Sequence, residues 1–464
     1  MQLESFLTRG LGDTSYLLAS GDQAAIVDPQ RDIGRVLAAA RAGGLHITHV
    51  VETHVHNDYV SGALELRAAT EAAIAGPARA GYAFPFEPLG EGAELSLGTL
   101  RIVAAETPGH TPEHLSYLVY EGDAEEPTAV FTGGSLIVGS AGRTDLLGPE
   151  ATLELTLALH QSLNRLSGLP DQTLVLPTHG AGSFCSSSPP GEERTSTIGR
   201  ERASNPALAD AEMDEGAFVE RRLTGLLAHP SYYSHIAPIN RAGPRVFGDV
   251  PVPRGLAPSQ VAERIEAGAW VVDGRERRAF AAGHIPASVA IELDDSFASY
   301  VGWIVPFGAP IVLVLPEDRP DHDAAAEAAT QLFRIGYEAV DGFLQGGVAE
   351  WVEAGRPLRS YPIASIDELA TAVGEERARV LDVRQQIEWD AGHLEGSTHV
   401  FVGDVNARLT EIPRDQDVWT VCASGHRAAM AASLLDRAGI PVRLVTPGGV
   451  PDVLASVGSA RSAE

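Results

Sequence analysis

Short apolar runs alternate with amphipathic stretches along the first part of the chain. "SYLLASGDQAAIVDP" splits into two strands around a Gly-Asp turn, and "DIGRVLAAARAGG" carries apolar residues at helical spacing and stops on glycine. "HITHVVETH" is a buried strand, which puts "HVHNDY" in the loop at its C-terminal end. "SGALELRAAT" then opens a helix, with Ser61 as its expected cap. Further strands are expected in "GTLRIVAAE", "LSYLVYEG", "TAVFTGG" and "TLVLPTHG". Around residues 180–210 Ser, Pro, Gly and Arg accumulate, the composition of an extended loop or an arm over a site. "FGDVPVPRGLAP" is a linker.

Behind the linker the pattern repeats. "VVDGRERRAFAAGHIPAS" from Val271 and "VLDVRQQIEWDAGHLEGS" from Val380 share Asp-x-Arg and Ala-Gly-His at the same spacing. Each copy reads strand, helix, strand, helix, strand, which predicts a parallel sheet with helices on both faces. The expected domains are 1–245, 253–358 and 362–464, an α/β organisation throughout. A chain of 464 residues is indeed too long for one ordinary core.

Charge narrows the partners. The formal net charge of −28 repels phosphate backbones, so nucleic acid is not an expected partner. No apolar run reaches membrane-spanning length, and the first residues lack the layout of a signal peptide. Two cysteines, Cys185 and Cys422, are too few and too far apart in sequence for a disulfide framework, which fits a reducing cytoplasm. A homo-oligomer is compatible with this composition.

The candidate chemistry falls into two groups. His54 and His56, two positions apart in a loop behind a strand, can converge on one ion, with Asp58 within reach. His110 follows in the turn of "AETPGHTPEHLSYLV", and His179 stands just after the strand of "LPTHGAG". A hydrogen-bonded structural role suits His114 better. In the last repeat, "DVWTVCASGHRAAMAASLLDRAG" reads as a strand, a tight loop and a helix. Cys422 opens that loop and Arg427 closes it, with Ser424, Gly425 and His426 between them. Backbone amides at such a helix N-terminus cradle an anion and favour a thiolate or persulfide. Covalent sulfur transfer needs a nucleophile of that kind. Four intervening residues leave room for one sulfur atom rather than a tetrahedral phosphate. The middle repeat offers Pro316, Glu317 and Asp318 where the cysteine would stand, so it reads as a packing or spacer module. Cys185 reads as a small structural residue.

"HVHNDY" resembles the metallo-β-lactamase motif His-x-His-x-Asp-His, with Tyr59 in the last position. "TPGHTPEHLSY", "FTGGSLIVGSAGRTDLLG" and "THGAGSFC…TSTIGRE" make the chain similar to persulfide dioxygenases fused to rhodanese domains. The resemblance implies a metallo-β-lactamase αββα sandwich followed by two tandem rhodanese-like α/β domains, the last one catalytic through Cys422 and Arg427. It also implies a low-molecular-weight thiol persulfide or thiosulfate as substrate. A second ion would need a histidine at Tyr59 and an aspartate at Gly134, so one divalent metal at most is expected, with Fe(II) favoured over Zn(II). The family's iron ligands map to His54, His110 and position 134, and glycine cannot coordinate. Three readings follow. His56 completes a three-histidine site, which we favour; Asp58 supplies the carboxylate; or the site is degenerate. His179 is a further ligand or supporting residue, and Gly134→Asp is expected to restore the missing carboxylate. Arg143 and Asp145 in "SAGRTDL" line the implied substrate pocket, or else pair with one another at the surface. The rival activities are a zinc-dependent thioester hydrolase of the hydroxyacylglutathione type, and a non-catalytic N-terminal scaffold on an active sulfurtransferase.

Overall fold

The computed structural model describes residues 1–180, 182–186, 193–317, 323–375 and 377–461. They form two compact units, Met1–Pro251 with Phe333–Gly336, and Val252–Leu332 with Tyr337–Glu464.

The first unit holds two six-stranded sheets. In one, β1 (Gln2–Thr8), β2 (Asp13–Ser20), β3 (Gln23–Val27), β4 (His46–Val51), β5 (Ala73–Pro77) and β6 (Glu87–Leu89) lie in sequence order. The other contains β7 (Glu94–Leu97), β8 (Leu100–Glu106), β9 (Leu115–Glu121), β10 (Ala129–Gly133), β13 (Leu174–Pro177) and β14 (Ser196–Thr197). The short pair β11 (Leu136–Ile137) and β12 (Ser140–Ala141) forms a separate ribbon, in sequence between β10 and β13. Tyr16, Leu18, Val27 and Val51 of the first sheet bury against Ile102, Tyr117, Phe131 and Leu176 of the second. Ile26, Val50 and Ile74 on the outer face of the first sheet are covered by Val36 and Leu66 from helices Gly34–Ala42 and Ala63–Thr70. Val130 and Val175 on the outer face of the second are covered by Leu159 and Leu163 of helix Pro149–Ser167. Apolar residues on both faces of central strands explain why these runs read as continuous rather than alternating. The result is a metallo-β-lactamase αββα sandwich.

Two local expectations need correction. Ser61 is not the cap of its helix: that helix starts at Ala63 behind Gly62, while the Ser61 hydroxyl donates to Glu52 and accepts from the Ala63 amide. The stretch read as an extended arm over 180–210 contains helices Ile198–Ser204 and Pro206–Ala211, capped by Thr197 and Asn205. Residues 181 and 187–192 of that stretch lie outside the described residues.

The second unit contains the two repeats. Strands β15 (Gly255–Leu256), β16 (Trp270–Asp273), β17 (Ser288–Ala290), β18 (Ile311–Val314) and β19 (Val340–Leu344) form a parallel sheet in the order β15-β19-β18-β16-β17. The second copy, β20 (Ile363–Ala364), β21 (Arg379–Asp382), β22 (Thr398–His399), β23 (Val418–Val421) and β24 (Val442–Val445), has the same order, β20-β24-β23-β21-β22. The shared sequence signature has a structural meaning. Arg275 donates to both oxygens of Asp273 and to the Gly283 carbonyl, and Arg384 does the same with Asp382 and Gly392. Asp-x-Arg and Ala-Gly-His are therefore two ends of one clasp. His284 stacks on Phe280 and His393 on Trp389 in the same places. These are two rhodanese-like domains.

Candidate functional site

The first candidate site lies where several strands of the sandwich end. His54 follows β4, His110 sits in the turn between β8 and β9, and His179 follows β13; all three are buried. Gly109 lets the His110 turn press on helix Pro149–Ser167: a Cβ there would come within 2.6 Å of the Leu159 backbone, and its φ is +144°. The three imidazole rings form a near-equilateral triangle with centroids 5.0, 5.3 and 5.2 Å apart. One nitrogen from each lies within 4.8 Å of the others.

Hydrogen bonds fix which nitrogen faces inward. Thr53 Oγ1 donates to Asp28, so it accepts from His54 Nδ1 at 2.8 Å. His110 Nδ1 donates to the Arg143 carbonyl at 2.9 Å, and His179 Nδ1 to Asp13 at 2.8 Å. Every Nδ1 thus carries the proton, and the Nε2 lone pairs point at one another. His54 Nε2 and His179 Nε2 stand 3.3 Å apart, and His110 Nε2 has no partner among the described residues. Lone pairs held together in a buried space repel unless a cation lies between them. Burial and the neighbouring imidazoles also push the His54 and His110 pKa values well down, so both are neutral, as ligands must be.

His56 is placed differently. Its Nε2 is 2.9 Å from Tyr59 Oη and 3.3 Å from both Asp28 and Glu52. Burial opposes a charge there, but the two carboxylates outweigh it and raise the His56 pKa. Its Nδ1 is buried without a partner among the described residues, and the ring lies 4.1 Å from that of His54. His56 also forms a candidate ligand group with Asp58 and His179. Tyr59, in the place of the motif's last histidine, stacks on His56 and donates to the Asp28 carbonyl. Asn240 pins this loop by donating to the carbonyls of His56 and Tyr59.

Asp58 lies 3.4 Å from His179 Nδ1, and neither of its oxygens has a hydrogen-bond partner among the described residues. Burial pushes the carboxyls of Asp58 and Asp13 up to about 7. His114 is held at both nitrogens, by Thr107 Oγ1 and the Gly134 amide. Gly134 has a physical reason: a Cβ there would lie 2.3 Å from His110 Cδ2 and 2.8 Å from its Nε2. An aspartate at 134 therefore competes with His110 for the same space, which argues against its restoring the site. Arg143 makes a two-pronged pair with Asp145, at 2.7 and 2.6 Å, and donates to the Phe184 carbonyl. Its guanidinium is thus committed within the protein, while its carbonyl orients His110.

Asp28 was not legible as a site residue. At the end of β3 it accepts from the Thr53 amide and hydroxyl and from Thr178 Oγ1, and faces His56. Its φ of +49° is a left-handed conformation that non-glycine residues adopt at a cost. The only signal was an aspartate before proline at a strand end.

The second candidate site is the loop between β23 and helix His426–Arg437. The Gly425 amide donates to Cys422 Sγ at 3.1 Å, with Gly425 at φ +95°. The Val450 amide donates to the Cys422 carbonyl, and a Cβ on Gly449 would meet that oxygen at 1.9 Å, so "TPGG" is the floor of the loop. Arg427 is held by Glu388 through a two-pronged pair at 2.5 and 2.8 Å. Glu388 was missed; Ala279 at its place in the first repeat was the available contrast. Ser424 offers its carbonyl to Arg277, and His426 Nε2 lies 3.5 Å from Asp294. In the other repeat, β18 leads to Pro316 and Glu317, and Asp318 lies outside the described residues. Cys185 is buried, and its carbonyl accepts from the Arg143 amide.

Comparison with known proteins matches residues 8–179 to the metallo-beta-lactamase superfamily and residues 257–354 and 365–455 to the rhodanese-like domain. A hydroxyacylglutathione hydrolase of Cereibacter sphaeroides is 34% identical over 185 residues, 39% of this chain and 67% of that protein. One from Methylococcus capsulatus is 37% identical over 169 residues, 35% of this chain and 60% of its own length. The crystal structure of a metallo-beta-lactamase from Staphylococcus aureus superposes with a TM-score of 0.65 at 27% identity, covering 74% of this chain and 98% of that one. A metal-binding site typical of the metallo-beta-lactamase fold is present.

Proposed function

Since the chain belongs to the metallo-beta-lactamase superfamily and carries two rhodanese-like domains behind that module, we propose that it is an enzyme of sulfur metabolism. In this reading the first unit is a single-metal persulfide dioxygenase and the second a sulfurtransferase, acting on low-molecular-weight persulfides or thiosulfate. The observation that carries the metal assignment is the inward-facing set of neutral imidazoles, His54, His110 and His179, each held by an acceptor at its other nitrogen. His56, whose pKa the two carboxylates raise, joins this set only after losing the proton of its Nδ1, which has no partner among the described residues. Bound there, a ferrous ion supplies the redox chemistry of dioxygen. Thr53, Arg143 and Asp13 hold the rings, and Asp58 is placed to hold a proton beside His179.

At the second site the Cys422 thiolate attacks the outer sulfur of thiosulfate. The donor S–S bond breaks, sulfite leaves with the electron pair, and a persulfide anion remains on Cys422. The Gly425 amide that donates to Sγ stabilises the attacking thiolate.

A second reading, a zinc-dependent thioester hydrolase, is favoured by the similarity to hydroxyacylglutathione hydrolases. Metal content together with oxygen uptake separates the two. We expect one iron per chain, oxygen consumption with glutathione persulfide, and sulfite as product. One or two zinc ions, thioester cleavage and no oxygen uptake would establish the second reading instead. A protein that binds no metal but still transfers sulfur would leave the first unit as a scaffold.

A further inference from the structure

The repeat without a cysteine reaches the loop of the repeat that has one. Arg277 opens helix Arg277–Ala282 in the Cys-less repeat, and its Nη1 donates to the Ser424 carbonyl, inside the Cys422–Arg427 loop, at 3.2 Å. The guanidinium is aimed by Glu292, which accepts from its Nε at 2.8 Å, from its Nη2 at 2.6 Å and from the Arg277 amide at 2.6 Å. That pairing also holds the Arg277 pKa up, with a smaller contribution from Cys422. Further along, Asp294 and Tyr300 of the same repeat face His426, the latter edge-on with ring centroids 5.3 Å apart.

The repeats are asymmetric at these places. The constant offset that matches Asp273 to Asp382 and His284 to His393 puts Gln386 opposite Arg277 and Phe401 opposite Glu292. Both members of the ion pair are therefore present in the Cys-less repeat and both absent from the other. The clasp residues that serve the fold are kept in both copies, whereas this pair is found only in the copy that faces a sulfur nucleophile.

We propose that Arg277 is a positioning residue of the sulfurtransferase site: it fixes the loop through Ser424 and brings a positive charge from the Cys-less repeat to the anionic donor at Cys422. This rests on the sulfurtransferase reading above. Glu292 keeps the guanidinium from swinging away. An anionic donor such as thiosulfate gains from this charge, and a neutral reagent does not.

The test uses the full chain and follows the Cys422 peptide by mass spectrometry. Two rates are measured, sulfur loading from thiosulfate and alkylation by iodoacetate relative to iodoacetamide. The ratio of the two alkylating agents reads charge at the sulfur, because a merely loosened loop alters both rates alike. In Arg277→Gln, loading is expected to slow on the order of tenfold, the loss of one charge-assisted contact. The iodoacetate-to-iodoacetamide ratio is expected to fall about threefold. Arg277→Lys restores the ratio while loading remains below wild type, since lysine lacks the fork that Glu292 and Ser424 share. An unchanged ratio in Arg277→Gln overturns the proposal, as does a Lys variant with the low ratio of the Gln variant. If wild-type protein takes no sulfur from thiosulfate, the sulfurtransferase reading fails, and the ratio still decides the role of Arg277.

Discussion

The two candidate sites are built in opposite ways. The metal site draws on residues after β4, between β8 and β9, and after β13, and every inward nitrogen is set by a buried partner behind it. The cysteine site is one loop of consecutive residues, with a backbone amide on the sulfur and a salt bridge at its closing arginine. A distributed site owes its shape to residues that never touch the ligand, so it fails through its supports. A contiguous loop fails mainly through the reacting atom itself.

Four changes test that contrast. The largest effect on activity is expected from Cys422→Ser. Intact-mass measurement after thiosulfate should show one added sulfur in wild type and none in the variant, and thiocyanate formation should fall by roughly three orders of magnitude or more with little change in stability. Persistent transfer would shift the nucleophile to Cys185 and undo the comparison.

Asp28→Ala tests the other side. It removes the acceptor of three hydrogen bonds and the partner of His56 without touching any proposed ligand atom. A cost of about 3–5 kcal/mol in denaturant unfolding of the first unit, with loss of metal, is expected from breaking a buried charged network. Full metal content with wild-type stability would show that the supports are dispensable.

Gly134→Asp sharpens the account of the metal set. Because a Cβ there meets the His110 ring at 2.3 Å, the substitution should lower metal retention, measured by dialysis against a chelator. A loss of about tenfold in affinity corresponds to one disturbed ligand. Raised iron content and faster oxygen uptake would mean that the carboxylate replaces His110.

The smallest effect belongs to the support of the loop. The Arg427 guanidinium overcomes the burial of Glu388 and holds its carboxyl below the usual range. A depressed carboxyl contributes stability above its unfolded pKa, and that contribution is lost as pH falls through the lower folded value. Glu388→Gln should therefore cost under about 1 kcal/mol at neutral pH, after allowing for solvent screening. Thermal melts should show the difference from wild type shrinking as pH drops below the ordinary glutamate range. A gap that widens in acid would refute the pairing.

Much of this protein was open to reading because its signals are local. The cysteine loop and the strand runs of the sandwich are written in neighbouring residues, and the tandem repeat in two stretches with the same order of motifs. "CASGHR" carries its candidate nucleophile, its amides and its helix start in six consecutive positions. Motif spacing marked His54 and His110 as candidates, and Tyr59 and Gly134 as departures from the motif.

Other features existed only once the chain had folded. Nothing in the sequence connects Asp13 with His179, Arg143 with His110, or Asp28 with Thr178, because those pairs are made by strands that meet far from each other along the chain. Which nitrogen of each imidazole faces the centre is decided by those partners, and so is the drawing of His179 into the triangle while His56 turns to two carboxylates. The reach of Arg277 to Ser424 belongs to the same class. Local sequence determined which groups the protein possesses; tertiary packing decided their protonation, orientation and company, since burial and long-range hydrogen bonds act only between residues that folding has brought together.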